Sequence, residues 1–533
     1  MIHSVEILVA LLGVIAAVGV AARRSGIPSA ILLVLTGIAL ALVPGLPTVR
    51  LAPDVVLLLV LPPVIYSSAV AMSWQEFRFN LRSISLLAVG CVTFTTVAAA
   101  AAAHWGLGLS WPVGFVLGAI ISPPDAVAPL SIARRMQLPR RIQVILEGEG
   151  LANDATALIL YRFAIIAVGT GAFSLQKAAG TFAVIVAGEI VWGIGVGWLL
   201  LRIRRWVADP QIEILLSILT PFIAYWPPEH LGGSGVLATV AAGLFVSWNG
   251  LTMISAATRL QGIFFWEVLL YVIEGLIFLF TGLQARAFGN GINGYSPGQL
   301  AVSAAVISAV VILARFIWTF PATYLPRLIP VIARKDPAPP WQWPFTIAFT
   351  GVRGIVSLAA ALAIPLTVDD GGPFPSRDLI LFLTFVVILV TLVGQGLLLP
   401  AVIRVLGLAH AGAREHRADK AAELLARRQA IEAAGERLEA LARERSLPET
   451  IVRPLRAMHR ERLRHFESDP DAGVTPGSTG ALHDDVERQL LEAERERIND
   501  LYRGGNLKDE VRRRLEREMD LREAHLANHH HED

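Results

Sequence analysis

Charge is scarce in this chain. Only 17% of its 533 residues are Asp, Glu, Lys or Arg, where a soluble chain would carry roughly a quarter. Cysteine is nearly absent too. The single Cys91 sits inside an apolar run, which excludes disulfides within the chain, CxxC zinc sites and iron–sulfur clusters. HExxH, GxSxG and P-loop motifs are missing, so no motif supports catalysis. The chain is expected to be no enzyme and to need no cofactor. No basic stripe interleaves with aromatic residues, so nucleic acid is not an expected partner. Met1-Ile2-His3-Ser4-Val5-Glu6 lacks the basic start of a cleaved leader, and the first apolar stretch is expected to be retained.

What is abundant is hydrophobic sequence, at 54%. About 20 apolar residues in helix cross a bilayer core. That rule predicts about thirteen spans, near 4–22, 26–45, 53–72, 83–105, 112–134, 143–169, 179–201, 210–227, 232–248, 263–285, 297–326, 341–366 and 378–405. Alternate connectors, beginning after the first span, hold 15 Lys and Arg residues, and the others hold 4. Positive residues favour the cytoplasm. The expected topology is therefore a multi-pass inner-membrane protein with a periplasmic N-terminus and a cytoplasmic C-terminus.

From Ala411 onward there are 23 basic and 27 acidic residues, against 23 and 17 before it. Residues 1–406 are read as the membrane domain and 407–533 as a cytosolic helical tail. Helix is expected over Ala418–Glu444 and from about Asp484 to Leu526. The stretch Glu467–Leu482, rich in Gly, Pro, Ser and Asp, should break the tail between them. His529-His530-His531 reads as a polar end, with a weak metal tract as the sharper alternative.

A charge at the bilayer centre costs about 2.5–3.5 kcal/mol on insertion scales, so each one needs a partner or a task. Glu147 and Arg162 lie towards opposite ends of the sixth span, where both could snorkel to water. Glu189 and Glu274 read as mid-span with no assigned role, a buried structural hydrogen bond being the default. Asp125, Asp154, Arg315 and Arg353 fall near mid-span and are harder to dismiss.

Two spans are also interrupted at that depth. Ile121-Ser122-Pro123-Pro124-Asp125-Ala126 loses two backbone donors to its prolines, and Gly351-Val352-Arg353-Gly354 interrupts the twelfth span before Ser357. Two interrupted segments in corresponding places of two halves point to a transporter site. They lie seven spans apart and so run in opposite directions, as an inverted repeat requires. Broken half-helices bring two positive N-terminal ends and two negative C-terminal ends to the bilayer centre. Asp125 can neutralise the first and Arg353 the second, while carbonyls freed around Pro123 and Pro124 can coordinate a cation.

On the sixth span, Glu149 and Asn153 are four apart, as are Gly150 and Asp154, so Glu147–Thr156 presents a polar face. A polar helix–helix contact is the bland alternative. Oxygen-rich surroundings suit a hard cation such as sodium. A lone Asp154 can hold a proton or a sodium ion and is neutral with either, whereas the bare carboxylate is costly to move. That asymmetry makes a binding site an obligatory exchanger.

These residues carry a resemblance. Over roughly residues 5–410 the chain resembles bacterial sodium/proton antiporters of the NhaP type, the branch that includes the animal sodium/proton exchangers. The matching motifs are Leu61-Pro62-Pro63, Ser122-Pro123-Pro124-Asp125, Gly148-Glu149-Gly150-Leu151-Ala152-Asn153-Asp154, Ala314-Arg315-Phe316, Gly351-Val352-Arg353-Gly354 and Gly394-Gln395-Gly396. The resemblance implies an all-α polytopic fold of about thirteen helices, with inverted repeats and two broken crossing helices. It implies Asp154 as the cation- and proton-binding carboxylate with Asn153 beside it, Asp125 and Pro124 at the break, a buried Glu149–Arg315 pair, and Asp125 and Arg353 as helix-break charges. It also implies a homodimer serving pH and sodium homeostasis. An Asn beside the Asp, where electrogenic relatives have two Asp, leaves one titrating carboxylate and implies electroneutral exchange.

The chain departs from the family pattern at three places. Pro124 stands where the family has Thr, Gly150 where Ser is frequent, and Ser67 where an acidic residue often follows Leu-Pro-Pro. Each departure removes oxygen and weakens the choice of sodium over potassium or lithium. A potassium/proton antiporter and a cation channel therefore stay open as alternatives.

Overall fold

The computed structural model describes residues 2–44, 53–170, 175–207, 209–254, 256–288, 292, 294–368 and 371–467, with isolated positions between 490 and 521. The expected tail break and the helix from Asp484 fall almost wholly outside these residues, as does the histidine tract. The chain divides into two units, Met1–Glu415 and His416–Asp533.

Each of the thirteen stretches read as spans holds helix. The first are α1 (Ile2–Ser25), α2 (Ser29–Ala41), α3 (Leu61–Ala71), α4 (Trp74–Ser85) and α5 (Val92–Leu107). The fifth span is broken into α6 (Trp111–Ile121) and α7 (Val127–Arg135), followed by α8 (Arg140–Thr170), α9 (Leu175–Arg204), α10 (Pro210–His230), α11 (Val236–Met253) and α12 (Ala256–Leu283). Then come α13 (Pro297–Tyr324), the short α14 (Pro330–Lys335), the broken pair α15 (Gln342–Phe349) and α16 (Ile355–Leu362), α17 (Arg377–Leu389) and α18 (Gly396–Val405). Seven described helical segments are long and apolar enough to cross a bilayer by themselves. Trp111–Ile121 is shorter because its span is split at the break.

Two helix sets can be distinguished by packing. α1–α3 pack with α9–α12, and α4–α8 pack with α13 and α15–α18. Small residues permit the close approaches. A Cβ on Gly37 of α2 or Gly282 of α12 would strike the other helix's backbone, the geometry by which membrane helices gain van der Waals contact. α8 of the second set touches α3 and α11 of the first.

Wide π turns at Val55–Val60, Leu86–Cys91 and Val390–Gln395 continue directly into α3, α5 and α18. They free carbonyls that lipid cannot satisfy, and side chains do so instead. Pro62 has no N–H for the Leu58 carbonyl, which accepts the Trp226 indole N–H at 3.0 Å. The Leu86 carbonyl accepts the Trp318 indole at 2.8 Å. This accounts for the Leu61-Pro62-Pro63 motif, whose prolines stand where the π turn passes into α3 and whose missing N–H is made good from α10. Pro221, Pro227 and Pro228 lie inside α10, which continues to His230, three residues beyond the expected span end.

In the second unit, the later turns of α19 (Leu408–Glu444) contain the helix expected from Ala418. They are joined to α20 (Glu449–Glu467) by Arg456, whose Nε and Nη2 reach the two carboxylate oxygens of Glu439 at 2.6 and 2.8 Å.

Candidate cation site

The two interruptions meet each other. The Asp125 N–H donates to the Val352 carbonyl at 2.7 Å, which joins the α6–α7 break to the α15–α16 break. Asp125 then caps two helices at once: its Oδ1 accepts the Val127 N–H of α7 at 2.8 Å, and its carboxylate accepts the Ile355 N–H of α16. A negative group at two N-terminal ends offsets both dipoles. Gly354 is required for this approach, because a Cβ there would run into the Asp125 carboxylate.

Arg353 does the converse. Its Nε donates to the Ile121 carbonyl at 2.9 Å and its Nη2 to Ser122 at 3.4 Å, at the C-terminal end of α6, and its Nη1 reaches Gly351. Its own N–H donates to Thr391 Oγ1 at 2.9 Å, so the third π turn supplies the remaining partner. All its described guanidinium bonds go to carbonyls.

The polar face of α8 divides in two. Glu149 and Asn153 are buried, at 1% and 0% exposure. Glu149 takes a forked pair from Arg315 of α13, at 2.5 and 2.7 Å, while Arg315 Nε donates to the Ile347 carbonyl at 3.1 Å. Asn153 Nδ2 donates to the freed Pro124 carbonyl at 2.6 Å, and its Oδ1 has no described partner.

Gly150 and Asp154 instead line a cavity of about 130 Å³ together with Pro123, Pro124, Asp125 and Ser357. The Asp154 carboxylate makes none of the described hydrogen bonds. Ser357 Oγ is buried and likewise has no described partner. A Cβ on Gly150 would come within 2.7 Å of Ala126 Cβ, so glycine at this position lets the break lie against α8. Ser67 is not among the cavity residues; its hydroxyl bonds back to the Val64 carbonyl at 3.4 Å.

Several charges find partners that local sequence could not supply. Arg162 pairs with Glu229 of α10 rather than snorkelling alone. Glu189 of α9 accepts the N–H groups of Ser234, Gly235 and Leu237 at 2.5, 3.1 and 3.0 Å. It thereby caps α11, the structural bond expected of it. Glu147 pairs with Arg134 at 2.9 Å and also lines the Asp154 cavity. Its spacing of seven from Asp154 was the signal available in the sequence. Glu274 on α12 interacts electrostatically with Asp125 and Arg134.

A family model described as the transmembrane sodium/hydrogen exchanger matches residues 7–405. A protein described as an uncharacterised Na+/H+ exchanger of Mycobacterium tuberculosis is 34% identical over 99% of this chain and 97% of its own length. The sodium, potassium, lithium and rubidium/H+ antiporter of Bacillus subtilis is 34% identical over 70% of this chain and 57% of that protein. In fold, the chain is similar to the sodium proton antiporter MjNhaP1 of Methanocaldococcus jannaschii, with a TM-score of 0.61 at 17% identity, covering 76% of this chain and 98% of that one. With the crossed helix breaks, the buried Glu149–Arg315 pair and a match across most of its length, the chain belongs to the transmembrane sodium/hydrogen exchanger family.

Proposed function

We propose that this chain exchanges one proton for one sodium ion by alternating access, with Asp154 as the carboxylate both ions share. One observation carries the reading. Asp154 is the cavity carboxylate without a described hydrogen-bond partner, while Asp125, Arg353, Glu149 and Arg315 are engaged by the protein itself. Either ion discharges Asp154, and the discharged site can change sides. The empty carboxylate resists, because a bare charge in a low-dielectric passage is expensive. Asp125 and Ser357 line the same cavity and offer further oxygens for a hard cation. Asn153, buried on the adjoining face with its Oδ1 lacking a described partner, is the further oxygen of this proposal. Pro124 contributes through its carbonyl, which holds Asn153 beside Asp154.

One titrating carboxylate makes the exchange electroneutral. Residues 1–406 form the membrane domain in this proposal and 407–533 the cytosolic tail. The N-terminus is periplasmic, the protein is a homodimer in the inner membrane, and its work is pH and sodium homeostasis. In the motion, α4–α8 with α13 and α15–α18 move against α1–α3 with α9–α12.

The test is sodium-driven proton movement in proteoliposomes carrying a pH-sensitive dye, wild type against Asp154→Asn. Persistent exchange in the variant removes the mechanism. A rate that changes when an ionophore clamps the membrane potential removes electroneutrality. Potassium is the second reading, favoured by the oxygens missing at Pro124 and Gly150, and the same assay with each cation decides it.

A further inference from the structure

The cavity that holds Asp154 continues along α8. Glu147, Gly150, Leu151 and Asp154 all line it, which is the i, i+3, i+4, i+7 pattern of one helix face. Glu147 thus stands two turns from Asp154, about 10 Å along the axis, in the same cavity. Across from it, at the end of α7, Arg134 also lines the cavity, and its Nη2 donates to Glu147 Oε1 at 2.9 Å. The Arg134 side chain is 64% exposed and that of Glu147 13%. The pair therefore stands where the cavity meets solvent, on the basic face that the connector charges place in the cytoplasm. Towards the other end of α8, Asp154 is the last residue of that helix to line the cavity, and Arg162 is tied to Glu229 of α10.

The geometry points to Glu147 as a positioning residue for the cation on the cytoplasmic side, and to Arg134 as the internal cation it exchanges for the entering one. An ion coming from the cytoplasm meets Glu147 before Asp154. To interact with it, the ion must compete with the Arg134 guanidinium. The two charges act in opposite senses on the ion's occupancy: Glu147 concentrates cations at the mouth, and Arg134 repels them. A unit charge about 10 Å away alters a cation's occupancy by roughly ten-fold at an effective dielectric near 20, before salt screens it. The pair sets the apparent affinity from one side while leaving the coupling at Asp154 alone. This inference rests on Asp154 as the exchanging carboxylate.

The experiment compares apparent KM for sodium in everted vesicles, where the cytoplasmic face is outside, with that in right-side-out vesicles. In everted vesicles Glu147→Gln should raise KM about three- to ten-fold, because Arg134 loses its direct carboxylate partner at the mouth while Glu274 still faces it from α12, with the maximal rate falling by less than KM rises. Arg134→Gln should lower KM about two- to five-fold, and the double variant should return towards wild type. Right-side-out vesicles should show neither shift. High salt of an untransported cation should shrink both effects. Shifts of the same sign in the two single variants, equal shifts at both faces, or no shift in either overturns the proposal. If Glu147→Gln does not reach the membrane, Arg134→Gln alone decides by the sign of its effect. Asp154→Asn run in the same vesicles separates the two ideas. Exchange that survives in it defeats the Asp154 reading, whereas its loss beside an unchanged KM in the Glu147 and Arg134 variants defeats this inference only.

Discussion

Glu149 and Asp154 are two carboxylates on one helix, five residues apart, and the protein treats them oppositely. Glu149 is sealed, with 2% side-chain exposure, and both of its oxygens are held by Arg315. Asp154 faces a cavity and has no described hydrogen bond. Five residues of α-helix turn through about 140° beyond a full revolution, so the two cannot share a surface. One turns towards α13 and the other towards the helix breaks. A buried carboxylate with a fitted guanidinium ties two helices together, whereas one left open to a cavity remains available to an ion. Asp125 is intermediate: it lines the same cavity, but two helix N-termini already use it.

The largest expected effect tests the open member. Asp154→Asn should lower sodium-driven proton flux at least about 100-fold, because the amide cannot carry the exchanged charge, while the protein still elutes as a folded species on size-exclusion chromatography. Equal loss of fold would erase the contrast with Glu149. Next comes the sealed member. Glu149→Gln or Arg315→Gln leaves a buried charge unpaired and should cost about 3–5 kcal/mol, seen as a lower Tm in detergent. Combining Glu149→Gln with Arg315→Gln should recover part of that loss, since neither charge is then stranded.

A smaller effect is expected at the intermediate member. Gly354→Ala places a Cβ against the Asp125 carboxylate and should reduce exchange roughly ten-fold by displacing one cap, on the scale of a single misplaced charge-assisted bond. Tm should fall less than in the Glu149 variants.

The smallest effect extends the comparison to a carboxylate outside the membrane. Asp336, after α14, pairs with Arg82, Arg141 and Arg327. Burial would raise its carboxyl, but the bonds and charges of Arg141 and Arg327 outweigh that and hold it below the ordinary carboxylate range. Its stabilising contribution is therefore present above the unfolded value near pH 4 and is lost as pH falls through the lower folded value. From pH 6 down to pH 3 the loss of stability, followed through Tm, should be slightly smaller in Asp336→Asn than in wild type, by on the order of 1 kcal/mol or less.

Much of the site was legible because it follows from local backbone chemistry and the cost of charge in lipid. Pro123-Pro124 and Gly351–Gly354 announce broken helices wherever they fall in an apolar run, and Asp125 and Arg353 have the signs that the exposed helix ends require. Asp154 is conspicuous at mid-span for the same reason. The division of α8 into a sealed and an open face was less clear, since spacing places polar residues on a helix but does not say what lies opposite each.

Amino-acid sequence alone determined the apolar spans, the two breaks, the charges that answer them and the membership of Asp154 in a polar stretch, because each depends on residues close along the chain or on the lipid around it. Only the tertiary structure decided that Glu149 meets Arg315, that Glu189 caps α11, that Trp226 satisfies the carbonyl Pro62 leaves free, and that Glu147 opens into the cavity of Asp154. Those pairings join residues from 7 to 168 positions apart, and what selects them is which helix faces are pressed together once the bundle has closed.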